Sequence, residues 1–223
     1  MDKNKFLGAL KLYIEAAANP LTIAVGAVWF IGLIMVFALK PSPVGSDDYI
    51  TMISIIGSAH IGLFFMVFFG GYKTSQNKFY LSSCCAKHLF TTIPIIVSFM
   101  ICFAYDTVQA LLAYVNLGNA GLSDVLVSNS VCGAIMILNA GAIGKKKLEW
   151  FFSAPYIGII ILSSAISHSG RFNNGFGLPL GVAFVIAFGA YALGITLTLL
   201  ITNIWWKNGN RHSMPNKFVV SGT

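Results

Sequence analysis

The sequence predicts an all-α integral membrane protein with six transmembrane helices. Both termini would lie in the cytoplasm, behind an N-terminal amphipathic interfacial helix. Three observations predict this. The 223 residues are 57% hydrophobic and only 9% charged, whereas soluble domains carry about 25% charged residues. The apolar residues gather into runs of membrane-crossing length. The basic residues fall in short clusters between those runs.

The elements follow in order. The opening stretch MDKNKFLGALKLYIEAAANP sets Phe6, Leu10, Tyr13, Ile14 and Ala17 at helical spacing, with Lys3, Lys5 and Lys11 among them. That pattern suits a helix lying on a membrane surface, ended by Pro20. No small-residue cleavage pattern follows, so it does not read as a removed signal. The expected organisation is an elbow-like helix over residues 1–20, a transmembrane domain over 21–206 and a cytoplasmic tail over 207–223. A hydrocarbon core about 30 Å thick needs about 20 helical residues. Six segments meet this: Leu21–Leu39, Ile50–Phe69, Leu89–Thr107, Val125–Ile143, Trp150–Ile166 and Leu180–Trp206. The fifth is short and the sixth long, which implies tilt or a break. The connection VQALLAYVNLGNAGLSD is apolar enough to continue the third segment or to lie in the interface.

Orientation follows from the cations. Lys3, Lys5 and Lys11 precede the first segment, and Lys73, Lys78 and Lys87 join the second to the third. Lys145, Lys146 and Lys147 join the fourth to the fifth, and Lys207, Arg211 and Lys217 follow the sixth. With six crossings these share one side, leaving Lys40 and Arg171 opposite. The positive-inside rule then puts both termini in the cytoplasm. The net charge of +7 is thereby assigned to anionic lipid rather than to nucleic acid.

Ionisable groups within an apolar segment cost about 2.5–3.5 kcal/mol on insertion scales and so mark candidate sites. Three intramembrane polar residues stand out: His60 in the second segment, Asp106 toward the outer end of the third and Asn139 near the inner end of the fourth. A proton or cation relay is one reading of His60 and Asp106; satisfied interhelical hydrogen bonding is the other. No HExxH, GxSxG or paired-carboxylate pattern appears, so neither enzyme activity nor a bound metal or cofactor is expected of this chain. GAIGKKK, residues 141–147, fails the phosphate-loop pattern twice, with Asn139 at its first glycine position and Lys146 where Ser or Thr belongs. Cys84, Cys85, Cys102 and Cys132 have no disulfide-framework or zinc spacing. They read as free thiols acting as small hydrophobes, with acylation of Cys84 or Cys85 the alternative.

The two basic connections share a recipe of lysines followed by aromatics. The first carries Lys78, Phe79, Tyr80, Leu81, Ser82 and Lys87; the second carries Lys147, Trp150 and Phe151. They suit either interfacial anchoring or docking of a cytosolic partner. The stretch FGGYKTSQNKFYLSSCCAKHLFTTIP, residues 69–94, together with the overall layout, resembles the permease subunit of a type-2 ABC exporter in its small bacterial six-span form. The resemblance implies cytosolic ABC ATPase subunits gripping those nine residues. It also implies ATP and magnesium held on the ATPases rather than on this chain, and a second permease copy or sister permease. A re-entrant hairpin, usual in that family between spans five and six, has only Ser167 to Pro179 available. The function implied is ATP-driven export of a hydrophobic or amphipathic substrate such as a peptide, lipid or drug. Readings that rest on the residues alone are a secondary transporter or channel using His60 and Asp106, or a non-transporting membrane adaptor.

Overall fold

The computed structural model describes residues 3–18, 20–39, 41–76, 79–80, 83–143, 145 and 174–208. All elements among them are helices, and no strand occurs. In chain order they are α1 (Lys3–Ala17), α2 (Pro20–Leu39), α3 (Tyr49–Ser58), α4 (His60–Gln76), α5 (Ala86–Thr91), α6 (Ile93–Ala142) and α7 (Leu180–Lys207).

The helical class agrees with the sequence, but the count of six crossings is corrected. Among the described residues only α6 and α7 are long and apolar enough to cross a membrane. The second expected segment is interrupted at Ala59 into helices of 10 and 17 residues, which at 1.5 Å per residue are about 15 and 26 Å long. The third and fourth expected segments, with the apolar connection between them, form one element of 50 residues. The fifth segment and most of the expected re-entrant region lie outside the described residues. The first coincides with α2, several of whose side chains also lie outside them. The placement of both termini on one side, which rested on an even number of crossings, falls with the count.

The 50-residue element is not a rod. The Cys102 thiol lies 3.2 Å from the Met136 sulfur, 34 positions along. A straight helix would separate them by about 51 Å. The chain therefore doubles back, and it does so at Gly118, where φ is 68° and ψ is −156°. That backbone suits glycine, which has no Cβ to clash. Two limbs result, 93–117 and 119–142, each roughly 36 Å long.

Helix α7 runs parallel to the second limb. Ser123 donates to Leu178 O at 2.8 Å just before α7 begins, Gly194 abuts Ala134 halfway along, and Lys145 lies over the Trp205 ring near the end. Small residues at the crossing let the two backbones approach. Helix α4 reaches the same end, with Gly71 against Ile143. Lys73, Lys145 and Lys207 thus gather at one end of the bundle, while Asp47, Asp48 and Asp124 mark the other.

Apolar surface is left facing outward. In the most apolar windows of α6 and α7 only 28% and 17% of the residues are buried inside the fold. Val115, Val185 and Phe188 are among the exposed side chains. Two helices of this length and composition fit association with a membrane.

Helix α1 forms where the periodicity placed it, but it docks on protein. Ala9 and Tyr13 are fully buried, whereas Ile14 faces out. The Tyr13 hydroxyl donates to Val67 O of α4 at 2.9 Å. Burial holds that hydroxyl above the usual tyrosine range, so it remains a neutral donor. Tyr13→Phe should cost about 1 kcal/mol, read as lowered thermal stability in detergent. An unchanged melting temperature would remove this bond from the docking of α1.

Candidate functional site

The site forms where three helices meet at the break between α3 and α4. His60 opens α4 and is fully buried; Asp106 lies on the first limb of α6 and is 14% exposed. Tyr191 reaches in from α7. Gly133 on the second limb makes room for it, because a Cβ there would overlap the Tyr191 hydroxyl.

The hydrogen bonds fix the proton inventory. His60 Nδ1 is 2.8 Å from Gly57 O. A carbonyl only accepts, so Nδ1 carries a hydrogen. Nε2 is 3.0 Å from Asp106 Oδ1, and a hydrogen must lie between those two atoms as well. The pair therefore shares one proton, as imidazolium with carboxylate or as imidazole with carboxylic acid. Both forms are neutral overall. The Tyr191 hydroxyl donates to Asp106 Oδ2.

The helix break is tied to the same cluster. The Tyr105 hydroxyl donates to Ile56 O at 2.9 Å, beside the His60 bond to Gly57 O. Two side-chain donors thus serve the last carbonyls before Ala59, where the backbone ladder is disturbed. Tyr105 also packs edge-on against the His60 ring, with centroids 5.1 Å apart.

On its far side Asp106 lines a cavity of about 460 Å³ between the two limbs of α6 and α7. Phe99, Phe103 and Tyr114 form one wall, Phe184 and Phe188 another, and Asn129 projects from the second limb. Asn129 is 1% exposed, and both atoms of its amide lack a hydrogen-bond partner among the described residues. Phe103, Tyr114 and Phe188 are more than half exposed, so the mouth opens sideways onto the outward-facing apolar surface.

Of the intramembrane residues picked out by sequence, His60 and Asp106 meet and Asn139 does not join them. Asn139 back-bonds to Ile135 O at 2.9 Å within its own helix. Among the nine expected docking residues, Phe79 is exposed, Tyr80 half-buried and Lys87 exposed. Lys78, Leu81, Ser82, Lys147, Trp150 and Phe151 lie outside the described residues. Lys145, read as part of a surface cluster, is instead buried. It donates to Gly141 O at the C-terminal end of α6 and sits 5.4 Å from the Trp205 ring centroid, where carbonyls and a ring face both favour a cation. Cys84 is exposed, and Cys85, Cys102 and Cys132 are buried. No group of three metal-ligating side chains occurs among the described residues.

Sequence reasoning missed Tyr191, Asn129 and a second polar knot. In the latter, Asp124 accepts from the Tyr49 hydroxyl at 2.7 Å and from Phe176 N at 2.9 Å. Asn129 carried the same signal as Asn139, an amide within an expected span. Tyr191 carried little, since a tyrosine in an apolar run reads as bulk. No family model, curated protein or solved structure matches this chain.

Proposed function

We propose that the chain is a membrane transport protein for a hydrophobic or amphipathic substrate, driven by protons exchanged at the His60–Asp106 pair. The observation that supports this reading is a buried, charge-balanced proton site with one side open to an apolar cavity. With its proton the cluster is neutral. Without it, the Nε2 lone pair faces a carboxylate and one net negative charge is buried. That state costs several kcal/mol unless water, a cation or a moved helix relieves it. The His60 ring bridges the break at Ala59, so the junction of α3 and α4 is the element the proton biases.

In this reading the chain is a multi-pass protein of a bacterial plasma membrane, and the outward apolar surface of α6 and α7 supports its lying in a lipid bilayer. The end carrying Lys73, Lys145 and Lys207 faces the cytoplasm by the positive-inside rule. Substrate enters the cavity from the lipid, through the sideways mouth.

Reconstituted in liposomes, the protein should move a hydrophobic dye when a pH gradient is imposed and no nucleotide is present. His60→Gln keeps a donor at this position but exchanges no proton, and should lower that rate at least about tenfold. A second reading is supported by Phe79, which is 66% exposed and packs edge-on to Tyr80 at 5.9 Å. In it, cytosolic ATPases dock there and drive the same chain as an exporter permease. Flux that needs ATP and an added ATPase, and ignores the pH gradient, would favour this second reading over the first.

A further inference from the structure

We propose that the cavity takes a lipophilic cation, with a protonated amine as its preferred headgroup, and that binding displaces the proton shared by His60 and Asp106. The inference rests on the transport reading and names its substrate class. The cavity presents acceptors and aromatic rings. Asp106 uses its two carboxylate oxygens for one bond each, to His60 and Tyr191, and every such oxygen has a further lone pair. Asn129 adds an amide oxygen that is buried and unpartnered among the described residues. The aromatic rings of Phe99, Phe103, Phe184 and Phe188 line the remainder. Among the described residues no lysine or arginine lines it.

A carboxylate-bearing ligand would meet Asp106 with like charge. A wholly neutral ligand would leave the Asn129 amide unsatisfied unless it brought its own polar group. An ammonium group answers both: it donates to Asp106 and Asn129, and its charge is favoured over ring faces. The volume suits a drug-sized molecule.

Charge balance then dictates exchange. A cation beside Asp106 would leave the cluster with a net positive charge if the shared proton stayed. Releasing that proton restores neutrality, with imidazole, carboxylate and the bound cation in place. The other titratable groups facing the pair are Tyr105 and Tyr191, with Cys102 and Cys132. All four are neutral and far weaker acids than an imidazolium or a carboxylic acid, so the shared proton is the one released on cation binding.

The test is direct binding to the purified full-length protein in detergent, with no gradient. Three probes are compared: a lipophilic primary amine, tetraphenylphosphonium, and a neutral carbon isostere of the amine. Both cations should bind at least about tenfold more tightly than the isostere and release about one proton each into weak buffer. Asp106→Asn should abolish that preference, so that the three probes bind alike. Asn129→Leu should weaken the amine about tenfold but spare tetraphenylphosphonium, which has no N–H to donate. Equal binding of the isostere, or unchanged cation binding in Asp106→Asn, would overturn the inference. An amine that binds as described but is not moved by a pH gradient would overturn the transport reading alone. Gradient-driven flux without cation preference would overturn this inference alone.

Discussion

Asp106→Leu should lower the free energy of unfolding by about 3–5 kcal/mol, the usual loss when one partner of a buried pair is removed. Asp106 is the shared acceptor of the cluster. Without it, His60 Nε2 and the Tyr191 hydroxyl both face apolar surroundings with no partner. His60 is fully buried, so water entering the vacated space from the cavity would replace the carboxylate only in part. The triple variant H60L/D106L/Y191F should recover most of the loss, because no polar side-chain atom of the cluster is then left unpaired. Recovery stays incomplete, since Gly57 O loses the donor it had from His60. Denaturant or thermal unfolding in detergent reads both variants. A triple variant no more stable than Asp106→Leu would show that side-chain volume, and not pairing, sets the loss.

Gly175→Ala should cost about 2–4 kcal/mol, large for one added methyl group. Gly175 has φ of +76°, where an alanine is strained by about 1–3 kcal/mol. Its Cβ would also overlap Asp124 Oδ2 and come within 2.7 Å of Asp124 Cγ. That carboxylate ties the loop before α7 to α3, through Phe176 N and the Tyr49 hydroxyl. Pushing it aside weakens two bonds to a charged group, each worth about 1.5–3 kcal/mol. In an Asp124→Ser background the same substitution should cost only the backbone strain, about 1–3 kcal/mol. Equal penalties in the two backgrounds would mean that the collision with Asp124 contributes nothing.

Much of the helical framework was legible along the chain. The periodic apolar residues near the N-terminus gave α1, and the runs after Pro20 and Pro179 gave α2 and α7. His60 and Asp106 stood out because an ionisable group in an apolar run is costly without a partner. A reversal between the third and fourth expected segments was legible, since VQALLAYVNLGNAGLSD was read as their connection. Its position at Gly118 was not, because helical composition runs on both sides of that residue. The break at Ala59 was hidden for a related reason: it is sustained by Tyr105, a side chain 49 positions from the carbonyl it serves. Asn139 illustrates the opposite error. It bears the same amide as Asn129, yet it satisfies part of that amide within its own helix while Asn129 finds no partner among the described residues.

The sequence by itself determined that this protein is helical, that it is rich in apolar residues and poor in charge, and that its cations recur in clusters. Those properties are local or additive, so a window of a few turns contains them. Only the tertiary structure decided that His60, Asp106 and Tyr191 meet, that Lys145 is buried against Trp205, and that an aromatic cavity opens beside the shared proton. The bonds of the cluster join residues 46 and 85 positions apart. Such pairings arise from helix packing and chain reversal, and no short window of sequence contains them.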